Sequence, residues 1–325
     1  VTEEIAGGAP DEVLVDYARR TSARLIVVAS LGRRRPARWL LGSVAERTTQ
    51  TSSVPVLVVR RSAGFLRWVE KGWPLRAIVG GDFSATGDAA LGWVRELCRL
   101  GPCDVVVAHV YAPVAERRRL GLEDPTAGVD DARTQIENSL LRDLAERAAL
   151  VGRVRFRVET SQRRVADQLV GMAIEEGADV LVVGTRQRRG TSRLWYGSVS
   201  NAALHLAPMN VLSVPAAERR HVRPIPRLRR VLVPTDFSEL GDRAVPHAYA
   251  TLAAGGAVHL LHVVESAAEP ATPEERATQE RALVEKLQAL IPDGAEARGI
   301  ETHVEILENK DARRSVARRS ASAST

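Results

Sequence analysis

The sequence predicts an α/β protein of two doubly wound parallel five-stranded sheets, and three observations carry that expectation. Short apolar, β-branched runs alternate with amphipathic stretches along the chain, the pattern of strand–helix–strand units. One phrase is written twice, 155 residues apart: Ala29-x2-Gly32-x9-Gly42-Ser43-Val44, and Gly184-x2-Gln187-x9-Gly197-Ser198-Val199. Each copy follows an apolar run and carries Arg four residues before its Gly-Ser (Arg38, Arg193). A second phrase also recurs, Gly81-Asp82-Phe83-Ser84 and Thr235-Asp236-Phe237-Ser238. Repeated text of this length points to repeated structural units.

The middle of the chain, 75–215, holds one whole repeat. Leu75 to Gly80 is its first strand and Thr86 to Leu100 an amphipathic helix. Asp104 to Val110 is the second strand. Asp130 to Leu150 is a helix with Ile136, Leu140, Leu144 and Ala148 at helical spacing. Val154 to Thr160 alternates as a third strand. A helix from Val165 to Glu175 leads to the fourth strand, Val180 to Val183. Ser198 to Leu206 is the last helix and Val211 to Val214 the fifth strand.

The flanks are half repeats. Residues 1–61 hold the later half: a helix near Asp11 to Arg20, strand Leu25 to Val28, the glycine phrase, a helix near Ser43 to Thr51, and strand Val56 to Val59. Residues 229–310 hold the earlier half: strand Arg230 to Val233, Asp236-Phe237-Ser238, helix Asp242 to Ala253, strand Val258 to Val263, a helix near Pro273 to Leu290, and strand Thr302 to Leu307. The stretches Arg61 to Pro74 and Pro215 to Leu228 read as linkers. Neither half covers its own strands, so each leaves a central sheet edge open. Docked together they make one domain, cut between its third and fourth strands. Linkers of this length span about 40 Å when extended, which allows closure within one chain. The competing arrangement leaves the halves loose or exchanged between chains. The text after Asp311 (311–325) is Arg-Arg-Ser-rich and reads as a disordered or frame-slipped tail.

These phrases resemble the universal stress protein family, whose nucleotide-binding members end a first strand in Asp and later carry Gly-x2-Gly-x9-Gly-(Ser/Thr). The resemblance covers about 300 residues. Each copy departs at one glycine: Ala29 stands for the first, Gln187 for the second. The implied fold has strand order 3-2-1-4-5, similar to adenine nucleotide alpha hydrolases. The implied ligand is ATP or another adenine nucleotide, with or without Mg. In the whole repeat, the resemblance implies that Asp82 meets ribose or adenine and Val110 offers its backbone to adenine. Gly184, Gly197, Ser198 and Val199 would hold ribose and phosphates, with Gln187 in the same loop. The matching composite site is Asp236, Val263, Ala29, Gly32, Gly42, Ser43 and Val44. The family's fifth strands often pair between domains, so Val56 to Val59 and Val211 to Val214 are expected to pair or to drive self-association.

The residues supply a physical reason for such a site. A doubly wound sheet binds ligands beyond the carboxyl ends of its strands, at the switch point between strands one and four. Glycine lets backbone approach a phosphate. A helix beginning at Gly-Ser presents free N–H groups and its positive dipole end, and Ser198 is expected to cap it. Arg186, Arg188 and Arg193 lie within reach of phosphate in sequence, or on a solvated loop face.

Composition narrows the alternatives. At 325 residues there is room for two cores. No apolar run is long enough to span a membrane, and no secretion signal is visible, so a cytoplasmic protein is expected. The net charge is +6, yet only three of the 46 basic residues are lysine, and aromatics are 4%. That skew suggests GC-rich coding rather than a nucleic-acid surface, and base-stacking platforms are scarce. Cys98 and Cys103 show neither metal nor redox spacing and read as reduced thiols. His109 and His262 precede the adenine-side valines and read as structural hydrogen-bonders. No nucleophile–base set and no P-loop lysine is visible, so an enzyme is not expected. The leading reading is a regulatory nucleotide-binding module. The alternatives are a non-binding dimerisation scaffold and a slow ATP hydrolase.

Overall fold

The apolar runs form parallel strands with both faces covered, which is why they are continuous rather than alternating. The computed structural model describes residues 2–3, 9–30, 41–122, 129–148, 153–185, 197–216, 228–252, 254–264 and 272–308. The elements are β1 (Thr2–Glu3), α1 (Pro10–Arg20), β2 (Leu25–Ala29), α2 (Ser43–Thr51), β3 (Val56–Val59), α3 (Ala63–Lys71), β4 (Leu75–Gly80), α4 (Ala85–Leu100), β5 (Cys103–Tyr111), α5 (Pro113–Arg119), α6 (Val129–Ala148) and β6 (Arg153–Thr160). They continue as α7 (Val165–Glu175), β7 (Val180–Thr185), α8 (Ser198–Leu206), β8 (Asn210–Pro215), β9 (Arg230–Thr235), α9 (Glu239–Asp242), α10 (Ala244–Thr251), β10 (Ala257–Val264), α11 (Pro273–Gln288), a 3-10 turn at Glu296–Arg298, and β11 (Glu301–Glu308). The tail 311–325 lies outside the described residues.

Two compact units result, one continuous (Ala63–Ile225) and one that joins Val1–Ser62 to Pro226–Thr325. The continuous unit has strand order β8-β7-β4-β5-β6, all parallel, which is 3-2-1-4-5 in the repeat's own numbering. Ala77 pairs with Val180 and Val79 with Val182, so the fourth strand lies beside the first. Ile78, Val79, Val107, Leu181 and Val182 are completely buried in that sheet. The helical spacing expected of α6 is realised, since Ile136, Leu140 and Leu144 are buried and Ile136 and Leu140 pack with Tyr111. The β6 strand carries Arg153, Arg155 and Arg157 at alternate positions. Arg157 pairs with Glu159, Glu175 and Glu176, and Arg155 with Glu176. Such a charged strand resists further strand pairing.

The stretch expected to link the repeats is partly a helix. In α3, Phe65 and Trp68 are buried and meet edge to face at 6.1 Å. Phe65, Trp68 and Val69 fall at i, i+3 and i+4, a helix signature that the neighbouring Gly and Pro obscure. Gly64 is needed there, because a Cβ would lie 2.4 Å from the Asp179 carboxyl carbon. Arg67 and Arg76 both pair with that carboxylate.

The discontinuous unit has strand order β1-β11-β10-β9-β2-β3, again parallel, six strands rather than the five expected because the two-residue β1 adds beside β11. Its central seam joins distant sequence: Leu25 pairs with Val231 and Ile26 with Leu232. Arg24 N–H also donates to Arg230 O at 2.9 Å. Val27, Val231, Leu232, Val233, Val258 and Leu260 are completely buried. Polar groups cross the same junction. The Tyr17 hydroxyl lies 3.4 Å from His259 Nδ1, which lies 3.4 Å from Glu305. Buried His247 sits between the carbonyls of Arg243 (2.8 Å) and Arg61 (3.3 Å). The helix expected over Asp242 to Ala253 is realised as α10, and a separate single turn, α9, precedes it. Pro246 lacks the N–H that would bond to the carbonyl of Asp242, so the helix restarts at Ala244.

A chain beginning at Ala63 should keep the continuous unit folded and leave β9 without its partner. Hydrogen exchange is then expected to stay slow at Val79 and Val182 and to become fast at Val231 to Val233. Unchanged protection of β9 would show that the β2 seam is dispensable.

Candidate functional site

Both units build the same turn at the carboxyl end of their first strand. In one, β4 ends and Asp82-Phe83-Ser84 leads into α4. In the other, β9 ends and Asp236-Phe237-Ser238 leads into α9. Ser84 caps α4 by accepting from Gly87 N–H at 3.2 Å, and its hydroxyl donates to Asp82 Oδ1 at 2.5 Å. Ser238 does the same with Gly241 N–H (2.9 Å) and Asp236 Oδ1 (2.5 Å). The backbone N–H of each serine also donates to that aspartate oxygen. A serine hydroxyl has one proton, so the Thr86 hydroxyl 2.6 Å from Ser84 Oγ is the donor in that pair.

The phenylalanine between Asp and Ser takes the left-handed conformation, φ 56° at Phe83 and 55° at Phe237. A bulky residue there is strained, and the surroundings hold it. Phe83 packs on His109 at 4.9 Å between ring centres, and Phe237 on His262 at 4.4 Å. Each histidine turns Nδ1 to a carbonyl at the end of the first strand, His109 to Gly81 (2.5 Å) and His262 to Thr235 (2.8 Å). Each phenylalanine also has a cation over its ring from the helix before the third strand, Arg147 at 5.5 Å and Lys286 at 5.9 Å. Arg147 further donates to Phe83 O at 3.1 Å and pairs with Asp88. Burial pushes the His109 imidazole below its ordinary pKa, against the Gly81 carbonyl, which favours the proton.

The glycine loops begin beside these turns. Extending the β4–β7 register two residues sets Gly184 beside Gly81, and extending β2–β9 by three sets Ala29 beside Thr235. A Cβ at Gly184 would lie 2.2 Å from Thr86 O, so this glycine serves the close approach of β7 to α4. Where α4 has its counterpart in the broken α9–α10, the matching residue is Ala29. On the far side of each loop, Gly42 and Gly197 are the N-caps of α2 and α8, without a side-chain cap hydrogen bond. Ser43 and Ser198 therefore do not cap. They are the first helical residues, with exposed side chains, followed by Val44 and Val199. Gly42 N–H donates to Ser30 O at 2.7 Å, which ties the two ends of the first loop together. Gly197 has φ −54° and ψ 132°, open to any residue, and among the described residues a Cβ there would meet Ser200 Oγ at 3.2 Å.

Asp82, Gly184 and the Gly197–Ser198–Val199 helix start thus belong to one end of one sheet, as do Asp236, Ala29 and Gly42–Ser43–Val44. Val110 and Val263 lie near the carboxyl ends of β5 and β10, each half-buried. Asp82 is exposed, and its Oδ2 makes no hydrogen bond among the described residues. Gly32, Gln187, Arg38, Arg186, Arg188 and Arg193 lie outside the described residues. Sequence reasoning missed Gly87, Gly241, Arg147 and Lys286. The two glycines were available as a longer repeat, Asp-Phe-Ser-x-x-Gly. A Cβ at either would lie 2.5 Å from the aspartate Oδ1. The two cations stand in helices whose texts differ, so no phrase marks them. Among the described residues no cluster of His, Cys, Asp or Glu could hold a metal, and no helix is long and apolar enough to cross a membrane.

The profile of the universal stress protein family matches residues 1–60, 75–215 and 227–320. A universal stress protein of Mycobacterium tuberculosis is 28% identical over 214 residues, 65% of this chain and 68% of that protein. The stress response protein NhaX of Bacillus subtilis is 37% identical over 57 residues, 18% of this chain and 34% of that protein. Among solved structures, a universal stress protein from Archaeoglobus fulgidus is 18% identical, with a TM-score of 0.44 over 68% of this chain and 70% of that one.

Two outcomes follow from the packing. Gly184→Ala should destabilise the continuous unit by about 1–3 kcal/mol through overpacking against Thr86, whereas Ala29→Gly should cost no more than about 1 kcal/mol; urea denaturation reads both. Burial lowers the His109 pKa in the folded state, so its stabilising contribution is complete above about pH 6.5 and is lost as pH falls, because the unfolded chain takes up the proton first. His109→Asn, which keeps an N–H at the same reach, should flatten the fall in melting temperature below that pH. An unchanged slope would remove His109 as its source.

Proposed function

The chain belongs to the universal stress protein family, and from that premise we propose that it is a regulatory module that binds an adenine nucleotide, ATP first. The observation that carries this reading is the pairing, at one end of the β4–β7 seam, of an exposed carboxylate with an uncapped helix start. Asp82 keeps Oδ2 open, as an acceptor for a ribose hydroxyl needs. The first turn of α8, behind Gly197, has N–H groups without a side-chain cap among the described residues, and a phosphate suits them and the helix dipole. Val110 offers backbone to the base. Gln187 stands in sequence where the family has glycine, and a side chain in place of hydrogen disfavours close approach of backbone to phosphate. In the same reading, residues 1–61 and 229–310 form one domain within one chain, and Asp236, Val263, Ala29, Gly32, Gly42, Ser43 and Val44 make a second site. Mg, where it accompanies the nucleotide, is held mainly by phosphate oxygens. The module works by binding and self-association rather than by catalysis, in the cytoplasm and without nucleic acid.

Mass spectrometry of ligand released from purified protein, followed by calorimetry with ATP, ADP and AMP, tests this reading. Asp82→Ala should weaken binding by about tenfold or more, the loss of one hydrogen bond to a charged group worth about 1.5–3 kcal/mol. Gly197→Val should weaken it without lowering the melting temperature, since the backbone there does not need glycine. Gln187→Gly should strengthen it. Affinity that ignores Gly197→Val would place the phosphates elsewhere. Protein that neither carries nor takes up nucleotide is the scaffold alternative, and phosphate release above background is the hydrolase.

A further inference from the structure

A cavity of about 470 Å³ opens at the amino ends of β4, β5 and β6, beside the exit of α7 and at the opposite end of the strands from Asp82. Strand register puts Arg76, Asp104 and Arg153 in one row, on adjacent strands about 4.8 Å apart. Val106 and Arg155 stand two residues further on, on the same face. These five residues line the cavity together with Glu176, which follows α7. Their charges are unequally matched. Glu176 pairs with Arg155 at 2.6 Å and with Arg157 at 3.3 Å. By contrast, Arg76 Nε lies 3.7 Å from Asp179 and Arg153 lies 3.9 Å from Asp104, both beyond hydrogen-bond reach. Asp104 Oδ1 is buried and accepts no hydrogen bond among the described residues, while 32% of that side chain is exposed. Arg76 is held in place by its surroundings. Its backbone N–H donates to Asp179 Oδ2 at 3.1 Å, and its guanidinium lies over the turn that ends α7. Gly177 in that turn has φ 59°, and a Cβ there would lie 3.0 Å from Arg76 Nη1.

We propose that this cavity binds a free α-amino acid, with its carboxylate between Arg76 and Arg153 and its ammonium on Asp104. The order of charges along the row carries the assignment. A lone anion suits the two guanidiniums but lies against the Asp104 carboxylate between them. A lone cation suits Asp104 but lies against a guanidinium on either side. A molecule with both charges on one carbon meets all three groups at once. Guanidinium forks match a carboxylate with paired N–H donors, and Arg76 and Arg153 keep theirs clear of close ion pairs. An ammonium brings three donors to a half-buried carboxylate, which is costly to leave without one. Val106 is buried and supplies an apolar wall for the ligand's own side chain. The closed pair of Arg155 with Glu176 bounds the cavity beyond it. A volume of this size is ordinary for a small-molecule site. The site stands apart from the Asp82 turn and does not rest on the nucleotide reading.

The test uses the full chain and the common amino acids as single probes, read by calorimetry and by methyl NMR of valine and alanine. At least one amino acid should bind saturably below about 10 mM. It should shift the methyl signals of Val106 and Ala178 and leave those of Val27 and Val231 in place. The amine that lacks its carboxylate, and its N-acetyl derivative, should each bind about tenfold more weakly or worse, the loss of one hydrogen bond to a charged group. Asp104→Asn, Arg76→Gln and Arg153→Gln should weaken the parent amino acid to a similar extent, with circular dichroism confirming that each variant is folded. The derivatives probe the same contacts on unaltered protein, so the result stands where a variant unfolds. No binding by any amino acid at about 10 mM, equal affinity for acetate or inorganic phosphate, or shifts centred on Val110 instead of Val106 would each overturn the proposal. Affinity unmoved by Asp104→Asn would do the same.

Discussion

Each unit depends on the parallel pairing of its first strand with its fourth, β4 with β7 and β9 with β2. This seam is where the chain's winding reverses, so a crevice opens beyond the strands' carboxyl ends. It also buries the centre of the sheet on both faces, where an unpaired strand edge would leave backbone groups without partners. The same few hydrogen bonds therefore complete the core and bring the Asp-Phe-Ser turn beside the glycine loop. In the continuous unit the two strands are separated by about a hundred residues of one repeat. In the other unit they come from opposite parts of the sequence, and the seam is joined by the buried contacts of Tyr17 with His259 and of His247 with Arg61.

The two turns show how little sequence such a device needs. Asp and Ser form a closed set of hydrogen bonds with the helix start, and a glycine three residues beyond Ser leaves room for the carboxylate. Phe fills the space above, at the cost of a left-handed backbone, and a histidine and a cation hold its ring. Two different cations do this, Arg147 and Lys286, so the requirement is positive charge over an aromatic face rather than one side chain. The loops across the seam are less alike. Gly184 is required by Thr86, and its counterpart Ala29 stands opposite a helix that Pro246 interrupts. The missing glycine and the broken helix occur in the same unit.

The fold class was legible in the sequence because two-sided burial writes strands as unbroken apolar runs, and because the repeat was long. Strand order in the continuous unit is the one that the resemblance to the family implied. What stayed hidden has physical causes. Helix α3 lies in a stretch whose Gly and Arg suggest a linker, yet Phe65 and Trp68 anchor it. Ser198 looks like a cap in sequence, but the backbone turns one residue earlier and gives that position to Gly197. Gly87 and Gly241 lay three residues past a phrase that seemed to end at Ser. The cations over the phenylalanines depend on helix packing, which no local pattern encodes.

The discontinuous unit carries a consequence for the protein's synthesis. A ribosome delivers β2 about two hundred residues before β9, the strand that covers its open side. At roughly 5–20 residues per second, that interval is on the order of 10–40 s. The continuous unit is delivered whole during this wait and is free to fold. Throughout that time β2, with its Ile26, Val27 and Val28, has no native neighbour on that side. The nascent chain is then a natural client for a holdase, and slow translation would lengthen its exposure rather than help it fold.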